Sequence, residues 1–306
     1  VEHCAGTAAF AEPRDARPEE LAADLAADAT PDALHRAIGL FHRRMRLRYA
    51  VDRIIGNTPA IRQVQAQIRL AAARPVGVLI VGPPGSGRQH VAKAIHYASD
   101  APGRLLPIDG RIVTAETLDW SLRQWIAPRK ADPRSDSPSL LVIDADQLAP
   151  DAQSLLASVL RQSKMGFRLI GTSRGELPPL AKDGQYHLEL AHAFSTLAIH
   201  LPPLAERRED IPLAAQCVLE EVNRQGEKQI GGFEPAALDV LTEYDWPGNL
   251  DELTEAVREA HVAAEGPLVR GADLPEKLRI AARATEYPPR KDEPIALEEY
   301  MARVER

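Results

Sequence analysis

Leu79 to Ser99 reads L-I-V-G-P-P-G-S-G-R-Q-H-V-A-K-A-I-H-Y-A-S, and this stretch decides the fold. An apolar run typical of a β-strand leads into a glycine-dense turn, Gly82 to Gly87, and helical spacing of apolar residues follows. Strand, glycine-rich loop and helix in this order are typical of a phosphate-binding loop, because glycine lets backbone N–H groups converge on a phosphate. A tight turn without a ligand is the alternative.

Two positions of the loop depart from the phosphate-loop pattern G-x-x-x-x-G-K-[ST]. Arg88 stands at the lysine position and Gln89 at the hydroxyl position. A planar guanidinium need not reach the phosphate oxygens that an ammonium reaches, and an amide oxygen replaces the usual magnesium ligand. We therefore expect magnesium binding to be weak or absent. The predicted phosphate contacts are Gly82, Gly85, Ser86, Gly87, Arg88 and Gln89.

Composition predicts a soluble, helix-rich globular protein of the cytoplasm. The 306 residues include 44% hydrophobic and 26% charged residues, with a formal net charge of −7. This charge argues against a broad nucleic-acid-binding face. Cys4 and Cys217 lie far apart and lack metal-ligand spacing, and no apolar run approaches the ~20 residues that span a membrane. The acidic, alanine-bearing start does not resemble a signal peptide.

Apolar periodicity divides the chain into five predicted segments. They are a flexible leader (1–33), a linker helix (34–50), an α/β domain (51–204), a helical lid domain (205–282), and a linker that leads into a last helix (283–306). The predicted strands are 76–81, 105–108, 140–143, 167–170 and 197–201, with intervening helices that imply parallel crossovers. The polar loop from Ala127 to Pro138 is expected to be mobile.

The linker helix has a basic amphipathic pattern. Leu34, Ile38, Phe41 and Met45 recur at helical spacing, and arginines occupy the other faces. Either the helix packs on its own domain, or it pairs with a partner subunit.

Several further strings make the chain resemble the AAA+ central domain of bacterial sigma-54-dependent transcription activators. Ile54-Ile55-Gly56-Asn57-Thr58-Pro59-Ala60 is similar to the family's opening motif, whose backbone lies against adenine. Ala94 to Ser99 matches the helix after the phosphate loop, Leu201 to Leu213 the junction into the lid, and Trp246-Pro247-Gly248-Asn249-Leu250 the family's W-P-G-N-V/L. The resemblance implies an AAA+ P-loop sheet between helices, followed by a small all-helical lid. It also adds Ile55 and Gly56 to the predicted nucleotide contacts.

The same resemblance identifies family residues that this chain replaces. The family's third strand ends in Asp-Glu, where the aspartate holds magnesium and the glutamate polarises the attacking water. Here the strand ends in Asp144-Ala145, so Asp144 is a weak metal candidate and the base is missing. Asp146 is a poor substitute, because alternation along a strand turns it away. Ser173 replaces the family's sensor asparagine, where its hydroxyl could still orient a water, and Asp251 replaces its sensor arginine.

Two family segments involved in partner contacts are also altered. The arginine-bearing F-R-x-D-L-Y-Y-R-L region, which donates a finger to the neighbouring subunit, appears as Tyr186 to Phe194 without arginine. No counterpart of the G-A-F-T-G-A loop lies between Pro107 and Leu140, which makes direct sigma-54 contact doubtful. Trp120 and Trp125, found there instead, are expected to pack in the core or against a loop rather than form a recognition site.

We expect the other candidate residues to have structural roles or to be solvated. His96 and His192 are expected to be structural rather than metal ligands, since the nine histidines lack ligand spacing. The charge run from Glu206 to Asp210 is expected to be solvated, although in the family it caps the lid helix.

These features predict a degenerate AAA+ regulatory scaffold that binds ATP or ADP weakly or not at all and hydrolyses ATP inefficiently. The alternatives are a divergent ATPase that remodels a transcription complex with a partner subunit, and a docking platform without nucleotide. We expect homo- or hetero-oligomers with AAA+ subunits, a connection to the transcription machinery, and no membrane partner. Residues 295–306 resemble the start of the family's Fis-like helix-turn-helix domain, so DNA contact would need residues beyond this chain.

Overall fold

The computed structural model describes residues 31–100, 102–126, 137–162 and 167–286. The predicted leader over residues 1–30, most of the predicted loop at 127–138, and the final helix at 295–306 lie outside these ranges. Helix α1 covers Pro31–Arg48, so the linker helix begins three residues earlier than predicted.

A five-stranded parallel sheet forms the centre of the α/β part, as the sequence predicts. Its strands are β1 (Val78–Val81), β2 (Pro102–Asp109), β3 (Ser137–Ile143), β4 (Arg168–Ser173) and β5 (Leu197–His200). Their order is β2-β3-β4-β1-β5, and every neighbouring pair is parallel. Strands β2, β3 and β4 are longer than the apolar runs that predict them, because their ends include polar residues that pair in the ladder.

Helices cover both faces of this sheet. They are α2 (Pro59–Ala72), α3 (Arg88–Tyr97), α4 (Ala115–Ile126), α5 (Pro150–Gln162), α6 (Leu177–Lys182) and α7 (Leu188–Phe194). Successive residues of β1 enter opposite cores: Val78 and Ile80 pack towards α2 and α3, whereas Leu79 and Val81 pack towards α4 and α5. The alternation of side chains along a strand explains why β1 is buried on both faces and has a continuous apolar sequence.

A separate hydrophobic cluster holds the helical part together. Its helices are α8 (Ile211–Gln225), α9 (Pro235–Glu243), α10 (Asn249–Ala263) and α11 (Glu276–Glu286). A two-residue pairing between β6 (Gly232–Phe233) and β7 (Leu268–Val269) also lies there, which the sequence does not indicate. Among the described residues, no helix is both long enough and apolar enough to cross a bilayer.

The C-terminal end of α1 packs on the α/β part. Met45 contacts that core, Tyr49 stacks on Tyr97, and Arg46 donates to the carbonyl oxygens of Ser99 and Asp100. This part of the helix therefore packs on its own chain, as the first interpretation expects.

The two tryptophans of α4 differ in burial, and only Trp125 lies in the core. Trp125 is buried and meets Phe167 edge-on, but Trp120 on the same helix is 67% exposed. Leu118 and Leu122 occupy the core-facing side of α4, and this leaves Trp120 on the outer side.

Candidate functional site

The phosphate loop has the backbone geometry that its glycines allow. Gly85 and Gly87 have φ angles of +74° and +92°, in the left-handed region that favours glycine. Gly87 is the N-cap of α3 and supplies no capping side chain. The N–H groups of the first turn of α3 are consequently uncapped by any side chain, and such a helix start attracts anions.

Several polar atoms in and beside this loop are buried without a hydrogen-bond partner among the described residues. They include the acceptor Asp144 Oδ1 and two donors, Ser86 Oγ and Arg88 Nη1. Buried donors of this kind are costly to leave unpaired. Both lie at predicted phosphate contacts, whereas Gln89, the next predicted contact, is exposed on α3.

Arg88 forms an ion pair with the carboxylate that ends the third strand. Its Nη2 lies 3.0 Å from Asp144 Oδ1, and the two side chains are only 10% and 9% exposed. On the other side, Arg111 Nε lies 3.4 Å from Asp144 Oδ2. Asp144 therefore lies between two guanidinium groups through charge contacts only, because Asp144 Oδ1 has no hydrogen-bond partner among the described residues and the N–H at Arg111 Nε donates to Asp109.

Arg111 is a site residue that the sequence reasoning missed. It follows β2, where Asp109 pairs in register with Ile143, the residue before Asp144. Asp109 also accepts hydrogen bonds from Arg111 Nε and Nη2 at 3.0 and 2.7 Å, and this pairing raises the pKa of Arg111. The adjacency of the two strand ends was a usable signal, since the carboxyl ends of neighbouring parallel strands meet at one edge of a sheet.

The residues after Asp144 leave the strand at once. Asp144 itself has a φ of +48°, its N–H donates to Thr172 Oγ1, and Ala145–Gln147 form a 3-10 turn. Ala145, at the family's base position, is fully buried. Asp146 accepts from the backbone N–H of Arg174 and from the side chain of Gln147. Its direction is therefore set by a turn, and not by the strand alternation that we expected.

The hydroxyl of Ser173 donates a hydrogen bond within the chain. Ser173 ends β4, is fully buried, and donates to the carbonyl oxygen of Gly175 at 2.5 Å. Its proton is thus engaged within the chain, which weakens the expectation that it orients a water.

The helical part contacts the phosphate loop directly through the Trp246–Leu250 motif. The N–H of Leu250 donates to Gly85 O at 3.0 Å, and Asn249 Nδ2 donates to Pro84 O at 2.9 Å. Asn249 Oδ1 accepts from the N–H of Leu204 at 2.8 Å. A side-chain carbon on Gly85 would lie 2.1 Å from Gly248 O, so Gly85 is needed for the lid's approach as well as for its own φ.

Asp251 lies on the same turn of the lid. Its Cβ is 3.4 Å from where a side chain on Gly85 would begin. Desolvation by the surrounding protein raises the pKa of Asp251, and the nearby charge of Arg88 opposes that rise. An acidic group therefore faces the loop at the position of the family's sensor arginine.

The predicted adenine-side segment is tied to the helical part. Asp210 is buried and accepts hydrogen bonds from the N–H of Asn57, the N–H of Thr58 and Thr58 Oγ1. A side-chain carbon on Gly56, whose φ is +140°, would lie 2.6 Å from Asp210 Oδ2. Ile55 packs in the core of the helical part. Asp210 and Arg207 are buried, so the expectation that this charge run is solvated is wrong at these two positions.

The remaining candidates are structural. The segment that replaces the finger region places Tyr186, Leu190 and Phe194 in the core. His96 is buried between Ser139 Oγ and Gly103 O, as expected, and burial lowers its pKa to about 4. In the described part of the chain, no cluster of three or more histidine, cysteine or acidic residues could hold a metal ion.

Comparisons with known proteins agree with this architecture. Residues 55–204 match the family model described as Sigma-54 interaction domain, and residues 205–290 match the model described as AAA+ ATPase lid domain. The Regulatory protein AtoC of Escherichia coli (strain K12) is 25% identical over 273 residues, which are 81% of this chain and 58% of that protein. The Transcriptional regulatory protein ZraR of Salmonella typhi is 30% identical over 252 residues, 75% of this chain and 56% of that protein. This chain thus spans somewhat more than half the length of these relatives.

A solved structure shows the same fold. NtrX from Brucella abortus in complex with ADP has a TM-score of 0.63 and 23% identity, with 87% of this chain and 64% of that chain covered. The complex of NtrX with ATP has a TM-score of 0.62 and the same sequence identity, and the match covers 96% of this chain and 68% of that chain.

Proposed function

Because this chain belongs to the AAA+ proteins with a sigma-54 interaction domain followed by a helical lid, we propose that it is a regulatory module of transcription that binds ATP or ADP and does not hydrolyse ATP efficiently. The observation that carries the proposal is the end of the third strand. Ala145 is fully buried at the base position, and Asp144 is paired with Arg88.

The loss of hydrolysis follows from the chemistry of these residues. Phosphoryl transfer depends on positioned charges and on a residue that orients the attacking water. A methyl group cannot accept a proton, the hydroxyl of Ser173 already donates to Gly175, and Asp251 adds a negative charge beside the loop. Each change removes stabilisation that ordinarily contributes about 10²-fold or more to the rate.

Nucleotide binding is supported by the part of the loop that remains. The first turn of α3 has no side-chain cap, and Ser86 Oγ and Arg88 Nη1 are buried donors without partners among the described residues. The solved NtrX complexes contain ADP and ATP, which makes these nucleotides the first to test on this chain.

Steady-state ATP turnover by the purified chain in Mg²⁺ tests the proposal. We expect a rate far below one turnover per second, and about one per second or faster would overturn it. Asp144→Asn is a matched control of the same size. Turnover that this substitution changes arises from this site and not from a contaminant.

The proposed partners are AAA+ subunits and the transcription machinery. A partner subunit could supply the groups missing here, and this is the rival proposal of a divergent ATPase. Mixing the chain with a related AAA+ subunit tests it: ATP turnover no higher than the sum of the separate proteins contradicts the rival.

A further inference from the structure

Arg88 and Arg111 flank Asp144, the residue that the family resemblance makes the metal candidate. Both carboxylate oxygens already face a guanidinium nitrogen, at 3.0 and 3.4 Å. The pair with Arg88 is nearly buried, so solvent screens it only weakly. A cation that approaches Asp144 therefore meets the positive charge of both guanidinium groups.

Magnesium does not fit this arrangement. Mg²⁺ requires close to octahedral oxygen coordination at about 2.0–2.1 Å, and a guanidinium cannot be a ligand because it has donors only. Gln89, at the position of the usual hydroxyl ligand, is exposed on α3. A divalent ion would also meet the positive charge of Arg88 at short range.

We propose that Arg88 and Arg111 take the place of the metal, so that the site accepts a nucleoside diphosphate free of Mg²⁺. This inference rests on the proposed function and specifies the ligand of that function. It also adds Arg111, which lies outside the phosphate loop, to the binding residues.

The donors that remain suit phosphate oxygens. A guanidinium presents N–H groups in a planar fork that binds phosphate through two parallel hydrogen bonds, and Arg88 Nη1 has no partner among the described residues. Arg111 is about half exposed at 54%, so its side chain can turn from Asp109 towards a ligand. Arg88 approaches the ligand from the start of α3, and Arg111 approaches it from the end of β2.

The nearby acids favour a diphosphate over a triphosphate. Asp109, Asp144 and Asp251 all carry carboxylates around the two arginines. Without a divalent cation, each additional phosphate charge adds repulsion from these groups. The ligand with fewer charges is therefore the better match.

Isothermal titration calorimetry of the whole chain with ADP, in MgCl₂ and in EDTA, tests the inference. We expect dissociation constants that agree within about fivefold in the two buffers. ADP binding that is weaker in EDTA by more than this factor overturns the inference and leaves the proposed function standing. Absence of ADP binding in both buffers overturns the nucleotide part of the proposed function itself, and this inference with it.

Arg88→Lys assigns the effect to the arginine. A lysine ammonium is a single point charge on a different stem and cannot form the planar fork, so we expect Mg²⁺ to strengthen ADP binding by more than about fivefold in this variant. Arg69→Lys is the matched control, because Arg69 pairs with exposed Asp52 at 2.6 Å and its substitution should leave both titrations unchanged. ADP binding by Arg88→Lys that stays independent of Mg²⁺ contradicts the role of Arg88. The wild-type titrations test the inference even if this variant does not fold.

Discussion

The phosphate site and the lid junction differ in how many of the family's residues they keep. At the phosphate site, defined by Arg88, Asp144, Ala145 and Asp251, we propose that all residues but Asp144 replace groups that perform phosphoryl transfer in the family. At the lid junction, defined by Trp246 to Leu250 and their contacts with the phosphate loop, the motif persists and its hydrogen bonds are made. The difference shows that the geometry of this fold does not depend on its catalytic groups.

The physical reason lies in what each region stabilises. Asn249 satisfies a backbone carbonyl of the phosphate loop and a backbone N–H of the lid entry, so its loss would leave two groups of the main chain without this partner. Ala145, by contrast, fills its buried position with a methyl group. A change at the lid junction costs stability, whereas the changes at the phosphate site cost chemistry. The substitutions below test this contrast, from the largest expected effect to the smallest.

Trp246→Ala should have the largest effect on stability. The side chain is 1% exposed, and its Nε1 donates to Leu241 O at 2.8 Å. Removing a large buried side chain costs about 3–5 kcal/mol of unfolding free energy. Trp120→Ala is the matched control, because Trp120 is 67% exposed and its removal should cost about 0.5 kcal/mol or less. Urea denaturation measures both, and similar losses in the two variants would contradict the contrast.

Asn249→Ala should reduce the unfolding free energy by about 2–3 kcal/mol. The change removes the hydrogen bonds to Pro84 O and from the N–H of Leu204, at a residue that is 2% exposed. Thermal unfolding followed by circular dichroism measures the loss. Asn57→Ala, at an exposed asparagine, is the control and should change stability little. Equal stability of Asn249→Ala and wild type would show that the lid does not depend on this contact.

Arg88→Ala should cost about 1–2 kcal/mol, which is less than the lid substitutions and less than the about 3–5 kcal/mol for removing one partner of a fully buried pair. The pair with Asp144 is nearly buried, but Arg111 remains 3.4 Å from the other oxygen and keeps the carboxylate partly paired. Arg123→Ala breaks an exposed i,i+4 pair with Asp119 and should cost about 0.3–0.5 kcal/mol. Chemical denaturation at two salt concentrations separates them. A loss for Arg88→Ala as large as that for Trp246→Ala would place the phosphate site among the main stabilising contacts.

His96 lies outside both regions and should make the unfolding free energy depend on pH. Burial lowers the pKa of His96 from 6.5 to about 4, so the unfolded chain binds a proton at this residue more readily than the folded chain. The contribution of neutral His96 to the unfolding free energy is fully present above pH 6.5. As the pH falls from about 6.5 to 4, this contribution decreases by up to about 1.4 kcal/mol per pH unit. His96→Asn should flatten the curve of unfolding free energy against pH in this window. An unchanged slope in His96→Asn contradicts the prediction.

Local patterns predicted most of the fold. The five apolar runs became the five strands, because a strand buried on both faces has a continuous apolar sequence. The boundaries of β2 and β4 shifted, since ladder pairing continues into polar residues that hydropathy does not mark. Trp120 shows the corresponding limit for helices: aromatic character predicts burial, but only the neighbours of α4 determine which face is covered.

The candidate site was predictable only in part. The loop from Gly82 to Gln89 and the change at Ala145 are visible as motifs, because their residues are adjacent in the chain. Arg111 lies far along the chain from Arg88, and only the pairing of β2 with β3 brings the two side chains to the same carboxylate. Asp210 belongs to a charge run that we expected to be solvated, but in the structure Asn57 and Thr58 cover it and donate hydrogen bonds to it. These two residues lie far from Asp210 in the chain, and only folding brings them together.

The sequence by itself determined the order of strands and helices along the chain and the glycine-rich loop, because periodicity and adjacent motifs carry that information, and it predicts the replacement of the family's catalytic residues. The tertiary structure decided which charges meet. It placed Asp144 between two arginines and brought the lid's main chain against Gly85. Contacts between residues distant in the chain depend on how the sheet and lid pack, and no local pattern specifies that packing.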